Sequence, residues 1–187
     1  SEIIYLILIM IATAIPAGFA AGLFGIGGGL VTVPILFYIF SFSGIETAYV
    51  MHLAVGTSFG IIIPTSTVSV LTHHQHKAVD FSIVKGFGFF VATGVILGTV
   101  FAASLETKPL ILFFTVIVYI LAFYLLFLKE KETNIEIKIG LFSKAISGIV
   151  SGFISAPMGI GGAVMNVPIL KFFGYPINKA IGSAAAI

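Results

Sequence analysis

Two glycine-rich stretches carry the least ordinary chemistry of this chain. Gly25-Ile26-Gly27-Gly28-Gly29 and Gly159-Ile160-Gly161-Gly162 lie inside long apolar sequence, and a second apolar piece follows each of them. Glycine adopts positive φ at no steric cost and removes side-chain bulk, so such runs interrupt helices. A helix restarting after the interruption has N–H groups without a carbonyl partner, and its amino end carries roughly half a positive charge. Together these make an anion site that needs neither Arg nor Lys. The candidate ligands are the backbone amides of Gly27, Gly28, Gly29 and Leu30, and those of Gly161, Gly162, Ala163 and Val164. Thr32 and its counterpart Asn166, with Thr57 and Ser58, are the side-chain donors expected beside them. Ser155 and Ser183 are further donors, and Met165 is a candidate for the wall.

The two stretches are copies. Residues 18–36 (GFAAGLFGIGGGLVTVPIL) and 152–170 (GFISAPMGIGGAVMNVPIL) agree at ten of nineteen positions at a constant offset of 134. Ala54-Val55-Gly56-Thr57-Ser58 resembles Ala180-Ile181-Gly182-Ser183-Ala184 at an offset of 126, so the second copy has the shorter connection. A duplicated helix interruption is a sequence pointer to the binding site of a transporter. Ala163 stands where the first copy has Gly29, which makes the two halves unequal.

The elements that must position these groups are membrane helices. The chain is 59% hydrophobic and 9% charged, with a mean hydropathy of +1.20. Its 187 residues have too little interior to hide that apolar surface from water, so lipid is the expected solvent and a multi-pass cell membrane location follows. All nine basic residues are Lys, which argues against nucleic acid and against bidentate Arg clamps. With no Cys, thiolate and disulfide chemistry are excluded, and no cofactor is implied.

A spanning helix needs about 20 mostly apolar residues. Residues 3–24, 53–72, 81–104, 109–128 and 141–158 fit that length or approach it, whereas Leu30–Phe40 and 163–173 are too short to cross. These short pieces read as half-helices, each carrying a proline (Pro34, Pro168). The expected organisation is all-α: a first repeat over 1–128 with a glycine-broken re-entrant hairpin and three spans, a polar cytoplasmic loop over 129–140, and the start of a second repeat over 141–187. The second copy stops where its counterpart of the second span begins, so about three further spans, or about 60–80 residues, are expected in the complete protein. Lys77, Lys85, Lys129, Lys131, Lys138 and Lys144 flank loops two crossings apart and should face the cytoplasm. If the glycine breaks turn the chain back, the repeats are inverted and Lys171 and Lys179 also fall inside. If each segment crosses once, the repeats are parallel. The inverted arrangement is preferred.

Plainer readings compete with the functional ones. Small residues four apart (Ala14/Gly18/Gly22, Gly56/Gly60, Gly94/Gly98, Gly148/Gly152/Ala156) bring membrane helices together, and packing suffices to explain them. The glycine clusters followed by short segments exceed what packing requires. His73, His74 and His76 read better as a solvated loop than as a metal site, and His52 better as an interfacial histidine than as a proton carrier. Gly25–Leu30 is not GxGxxG, and P-loop, HExxH and GxSxG motifs are absent, so no enzyme is indicated.

The duplicated GIGG…VPIL signature, with Ala54–Ser58, resembles that of the TauE/SafE sulfite exporter family across nearly the whole chain. Gly25, Gly27, Gly28 and Pro34, with Gly159, Gly161, Gly162 and Pro168, match the motif. The resemblance implies a membrane permease of about eight segments for sulfite, sulfonates or related sulfur-containing anions. The function expected is secondary transport by alternating access, with a passive anion channel as the alternative. The partners expected are the anion and the lipid bilayer, with a homodimer compatible with both.

Overall fold

A computed structural model describes residues 2–24, 28–127 and 140–187. Gly27 and most of the polar 129–140 loop, with Lys129, Lys131 and Lys138, lie outside the described residues. Among those described there are eight helices and no strand: α1 (Glu2–Phe24), α2 (Gly28–Phe42), α3 (Val50–Gln75), α4 (Phe81–Ser104), α5 (Thr107–Phe127), α6 (Leu141–Met158), α7 (Ala163–Phe172) and α8 (Ile177–Ala185). Four of them, α3 to α6, are long and apolar enough to cross a membrane. Their outward faces carry large apolar side chains: Phe89, Ile96 and Val100 on α4, Leu112 and Tyr119 on α5. Water would penalise such a surface heavily, and acyl chains do not. The chain is an all-helical, multi-pass membrane protein.

The expected boundaries of α4 and α6 coincide with those found. Two others moved. Helix α2 takes in Gly28 and Gly29 at its start and ends at Phe42. Helix α3 runs from Val50 to Gln75, so His73 and His74 sit in its last turn, where a basic ring meets the negative end of the helix. His74 packs edge-on against Phe81, and His76 Nδ1 lies 2.8 Å from the Thr72 carbonyl.

Helices α4 and α6 form the tightest pair. A Cβ on Gly94 would lie 2.1 Å from the Ile149 carbonyl oxygen, one on Gly98 2.5 Å from that of Phe153, and one on Gly152 2.1 Å from that of Val91. Any side chain at these positions would push the helices apart. The Phe153 carbonyl is free to face α4 because Pro157, four residues on, has no N–H to offer it. Gly86 of α4 lies beside Lys144 of α6, while Gly98 lies beside Phe153, so the two helices run in the same direction. Lys85 and Lys144 therefore share one end of the bundle.

The ends of α4 fix the remaining connections. At its amino end Asp80 caps the helix, accepting from the Ser82 amide at 3.0 Å and the Ser82 hydroxyl at 2.6 Å. The Asp80 amide donates to Ser183 Oγ of α8 at 3.0 Å, and Lys179 Nζ lies 3.8 Å from Asp80 Oδ2. The Ser82 hydroxyl, the Ser82 amide and Lys179 hold the Asp80 carboxyl below the usual carboxylate range. At the other end of α4, Thr107 donates to the Ala48 carbonyl in the α2–α3 connection, and His52 Nε2 lies 3.1 Å from the Ala102 carbonyl. The α2–α3 connection and the start of α8 thus lie at opposite ends of α4.

The larger core cluster joins Val33 and Leu36 of α2, Ala54 and Val55 of α3, Leu110 of α5, and Met158 with Ile160 at the end of α6. It surrounds the place where the two glycine stretches meet.

Candidate functional site

Helix α6 ends in a Schellman turn. Gly159 takes the left-handed conformation at φ 61° and ψ 30°, which favours glycine strongly. Its amide donates to Ala156 O at 3.1 Å, and the Ile160 amide donates to Ser155 O at 3.3 Å, the two bonds that close such a turn. The turn is wedged against the first repeat. A Cβ on Gly29 would lie 2.2 Å from the Gly159 carbonyl oxygen and 2.6 Å from Ile160 Cα, and one on Gly159 would lie 3.0 Å from Val33 Cγ2 and 3.1 Å from Val55 Cα. The duplicated motif is therefore a contact between its own two copies.

One hydroxyl ties that contact. Ser58 is fully buried and donates to the Gly159 carbonyl at 2.7 Å. Thr32 Oγ1 lies 3.3 Å from Ser58 Oγ and donates to Gly28 O, on its own helix, at 2.8 Å. Both hydroxyls expected as ligands are thus satisfied within the protein. Leu30 is half-buried and packs on the core cluster around them. Thr57 is half-buried beside Ser58, and Gly28 has nothing within 4 Å of where a Cβ would stand.

The second repeat is arranged differently. Asn166, fully buried on α7, accepts from the Ser151 hydroxyl of α6 through Oδ1. Its Nδ2 is buried and has no partner among the described residues, and the same holds for Ser155 Oγ. Ser151 and Ser155 are four apart on α6 and share a face, so the second hydroxyl lies one turn nearer the Schellman turn. Gly162 makes room for the amide: a Cβ there would lie 2.7 Å from Asn166 Nδ2. Gly162 is also the N-cap of α7, and its carbonyl accepts from the Asn166 amide at 2.8 Å. Gly161 and Ala163 flank it, both half-buried. The amino end of α7 therefore combines unpaired helix amides with an unpaired side-chain amide and a nearby unpaired hydroxyl. All of these can donate, and no acidic side chain stands among them.

The structure brings Gly29, Thr32 and Ser58 together with Gly159, and Gly162 together with Asn166. Ser183 is elsewhere, bonded to the Asp80 amide. Met165 lines an apolar groove of about 640 Å³ between α5, α6 and α7, with Tyr124, Phe142 and Phe172. Ser151 was not foreseen; its signal is a serine on the small-residue face of α6 one turn before Ser155. Among the described residues no group of three or more His, Asp or Glu could hold a metal ion.

This is the architecture of a multi-pass membrane transporter, with a helix interrupted at the buried Gly159 and polar groups turned inward. The family profile described as sulfite exporter TauE/SafE matches residues 10–187. The chain is 34% identical over 179 residues to a probable membrane transporter protein of Haemophilus influenzae, covering 96% of this chain and 68% of that one. It is 27% identical to a probable membrane transporter protein of Methanocaldococcus jannaschii, covering 100% and 69%. It is 25% identical to one of Bacillus subtilis, covering 96% and 72%. No solved structure matches. The chain belongs to the TauE/SafE family.

Ser58→Ala strands the buried Gly159 carbonyl without its donor, which costs about 1–3 kcal/mol. Thermal unfolding of the purified protein in detergent should show that loss, with Thr99→Ala, exposed on α4, within about 0.5 kcal/mol of the parent. Equal stability of the two variants contradicts the role given to Ser58.

Proposed function

We propose that this transporter moves small sulfur-containing oxyanions, sulfite or sulfonates, by alternating access, and that the anion binds at the amino end of α7. The observation that carries the reading is Asn166 Nδ2: a fully buried amide donor without a partner, beside a helix start, in a chain with no Arg. An unpaired buried donor costs about 1–3 kcal/mol, a cost that an oxyanion bound there would offset. The amides of Gly161, Gly162 and Ala163 are the backbone ligands, and Ser155 is the second side-chain donor. The amides of Gly27, Gly28, Gly29 and Leu30, with Thr32, Thr57 and Ser58, complete the site from the first repeat when the contact at Gly159 opens. The family's printed description, sulfite exporter, supports the choice of anion.

In this reading each glycine break belongs to a re-entrant hairpin, and the two repeats are inverted. Two observations favour it. Leu170, Phe173 and Tyr175, at the end of α7, lie with Ile83, Gly86 and Lys144, at the start of α4 and α6. The chain entering through α6 thus returns through α7 to the end it came from. The connections that follow α2 and α7 lie at opposite ends of α4, as inversion requires. Residues 1–187 hold no Cys, and with any Cys elsewhere in the full-length protein replaced by Ser, single cysteines at Ser43 and Asn178 report topology directly. They should be labelled from opposite sides of the membrane, and labelling from one side overturns the inversion.

Transport is tested with the full-length protein in sealed vesicles and radiolabelled sulfite. Saturable flux is expected. Asn166→Asp keeps the acceptor for Ser151 but replaces the donor with a negative oxygen. The lost hydrogen bond to a charged group should lower flux at subsaturating anion by about ten- to a hundredfold. Linear, non-saturating flux fits a passive channel instead, and full activity of Asn166→Asp removes the amide from the site.

A further inference from the structure

The internal repeat equates α1 with α6, and the two helices are not equally covered. At the offset of 134, Gly148, Ile149, Gly152 and Phe153 of α6 correspond to Ala14, Ile15, Gly18 and Phe19 of α1, three of the four being identical. On α6 this set is the face that packs on α4. Gly148 and Gly152 are buried, Ile149 and Phe153 half-buried, and the Ile149 and Phe153 carbonyls meet Gly94 and Gly98. On α1 all four are exposed. Ile15 and Phe19 are each 72% exposed, and Gly18 has nothing within 4 Å of where a Cβ would stand. A glycine inside a helix costs about 1 kcal/mol relative to alanine. On α6 the glycine is matched by a backbone that comes within contact, but on α1 nothing described here approaches it.

We infer that the Ala14/Gly18 face of α1 is the seat of a further membrane helix that repeats α4, with small residues four apart, supplied by the same polypeptide outside residues 1–187. The relatives leave room for it, since this chain covers 68% and 69% of the first two. The α4 of a second copy does not suit, because its Gly94/Gly98 face is already closed against its own α6. The occupant repeats the α4–α6 geometry: its glycine Cα atoms lie against the Ile15 and Phe19 carbonyls, and its own carbonyl lies against Gly18. Small-residue pairing of this kind is how membrane backbones approach closely when burial from water gives no driving force.

Residues 1–187 hold no Trp, and any Trp elsewhere in the full-length protein is first replaced by Phe, so that single tryptophans report lipid contact. The full-length protein with Phe19→Trp, and separately with Ile15→Trp, is placed in vesicles of phosphatidylcholine with brominated acyl chains, which quench only a ring in contact with lipid. Phe153→Trp serves as the shielded reference and Leu112→Trp as the lipid-facing one. Each α1 tryptophan should lose less than half the fluorescence lost by the Leu112→Trp reference. Quenching equal to that reference at both positions overturns the inference. Ala14→Cys, which keeps the Cβ already present on this face, is then oxidised in the membrane. A disulfide-linked dimer overturns it as well, by placing the α1 of a second copy on this face, and a monomer is expected.

Discussion

The structure depends on replacing a Cβ with a carbonyl oxygen. At Gly29, Gly94, Gly98, Gly152 and Gly182 the atom nearest to the missing side chain is a backbone oxygen of another segment, at 2.1–2.5 Å from where the Cβ would stand. In hydrocarbon, backbone polar groups must find partners inside the protein, and no hydrophobic force from water presses helices together. Cα–H···O contacts of this kind contribute about 0.5–1 kcal/mol each. Their greater consequence is distance. Because Gly29 lets the Gly159 turn come up to α2, the Ser58 hydroxyl reaches the Gly159 carbonyl, a polar bond between the two repeats set within an apolar cluster.

The same geometry makes the repeats inequivalent. Thr32 and Asn166 occupy matching positions, but a threonine hydroxyl reaches back to its own helix at i−4, as Thr32 does to Gly28. Asparagine has two polar ends. One is held by Ser151, and the other is carried to the start of α7, into space that Gly162 leaves open. The two copies of the motif thus differ: Thr32 and Ser58 are bonded within the protein, and Asn166 Nδ2 is unpaired among the described residues. Alternating access needs an interface with two arrangements of similar free energy. In the proposed mechanism, the contact tied by Ser58 and the Asp80–Lys179–Ser183 cluster are the bonds that such a transition would exchange.

Much of this was legible in the sequence. Long apolar runs with few charges gave the helices, and the boundaries of α4 and α6 were found where composition changes. The duplicated motif marked Gly29, Gly159 and Asn166 as one locality. What the sequence withheld was the partner of each polar group. Thr32 and Ser58 are donors by type, yet both are spent inside the protein, and only the approach of Gly159 decides that. Ser183 resembles Thr57 by alignment, but the packing of Gly182 against Ala78 turns it towards the Asp80 amide. His73 and His74 read as loop because they are polar. The helix continues through them because His74 finds Phe81 and the helix end favours basic side chains.

In the proposed function an oxyanion binds where Asn166 Nδ2 and the first amides of α7 converge. Selenite is the heavier analogue of sulfite, with the same pyramidal oxyanion shape and a selenium atom that scatters anomalously. Crystals of the full-length protein grown with selenite and measured at the selenium edge locate it directly. One anomalous peak is expected, from a selenite whose oxygens lie within hydrogen-bond distance of Asn166 Nδ2 and the amide of Ala163. A peak elsewhere in the protein, with Asn166 Nδ2 still unpaired, would contradict it.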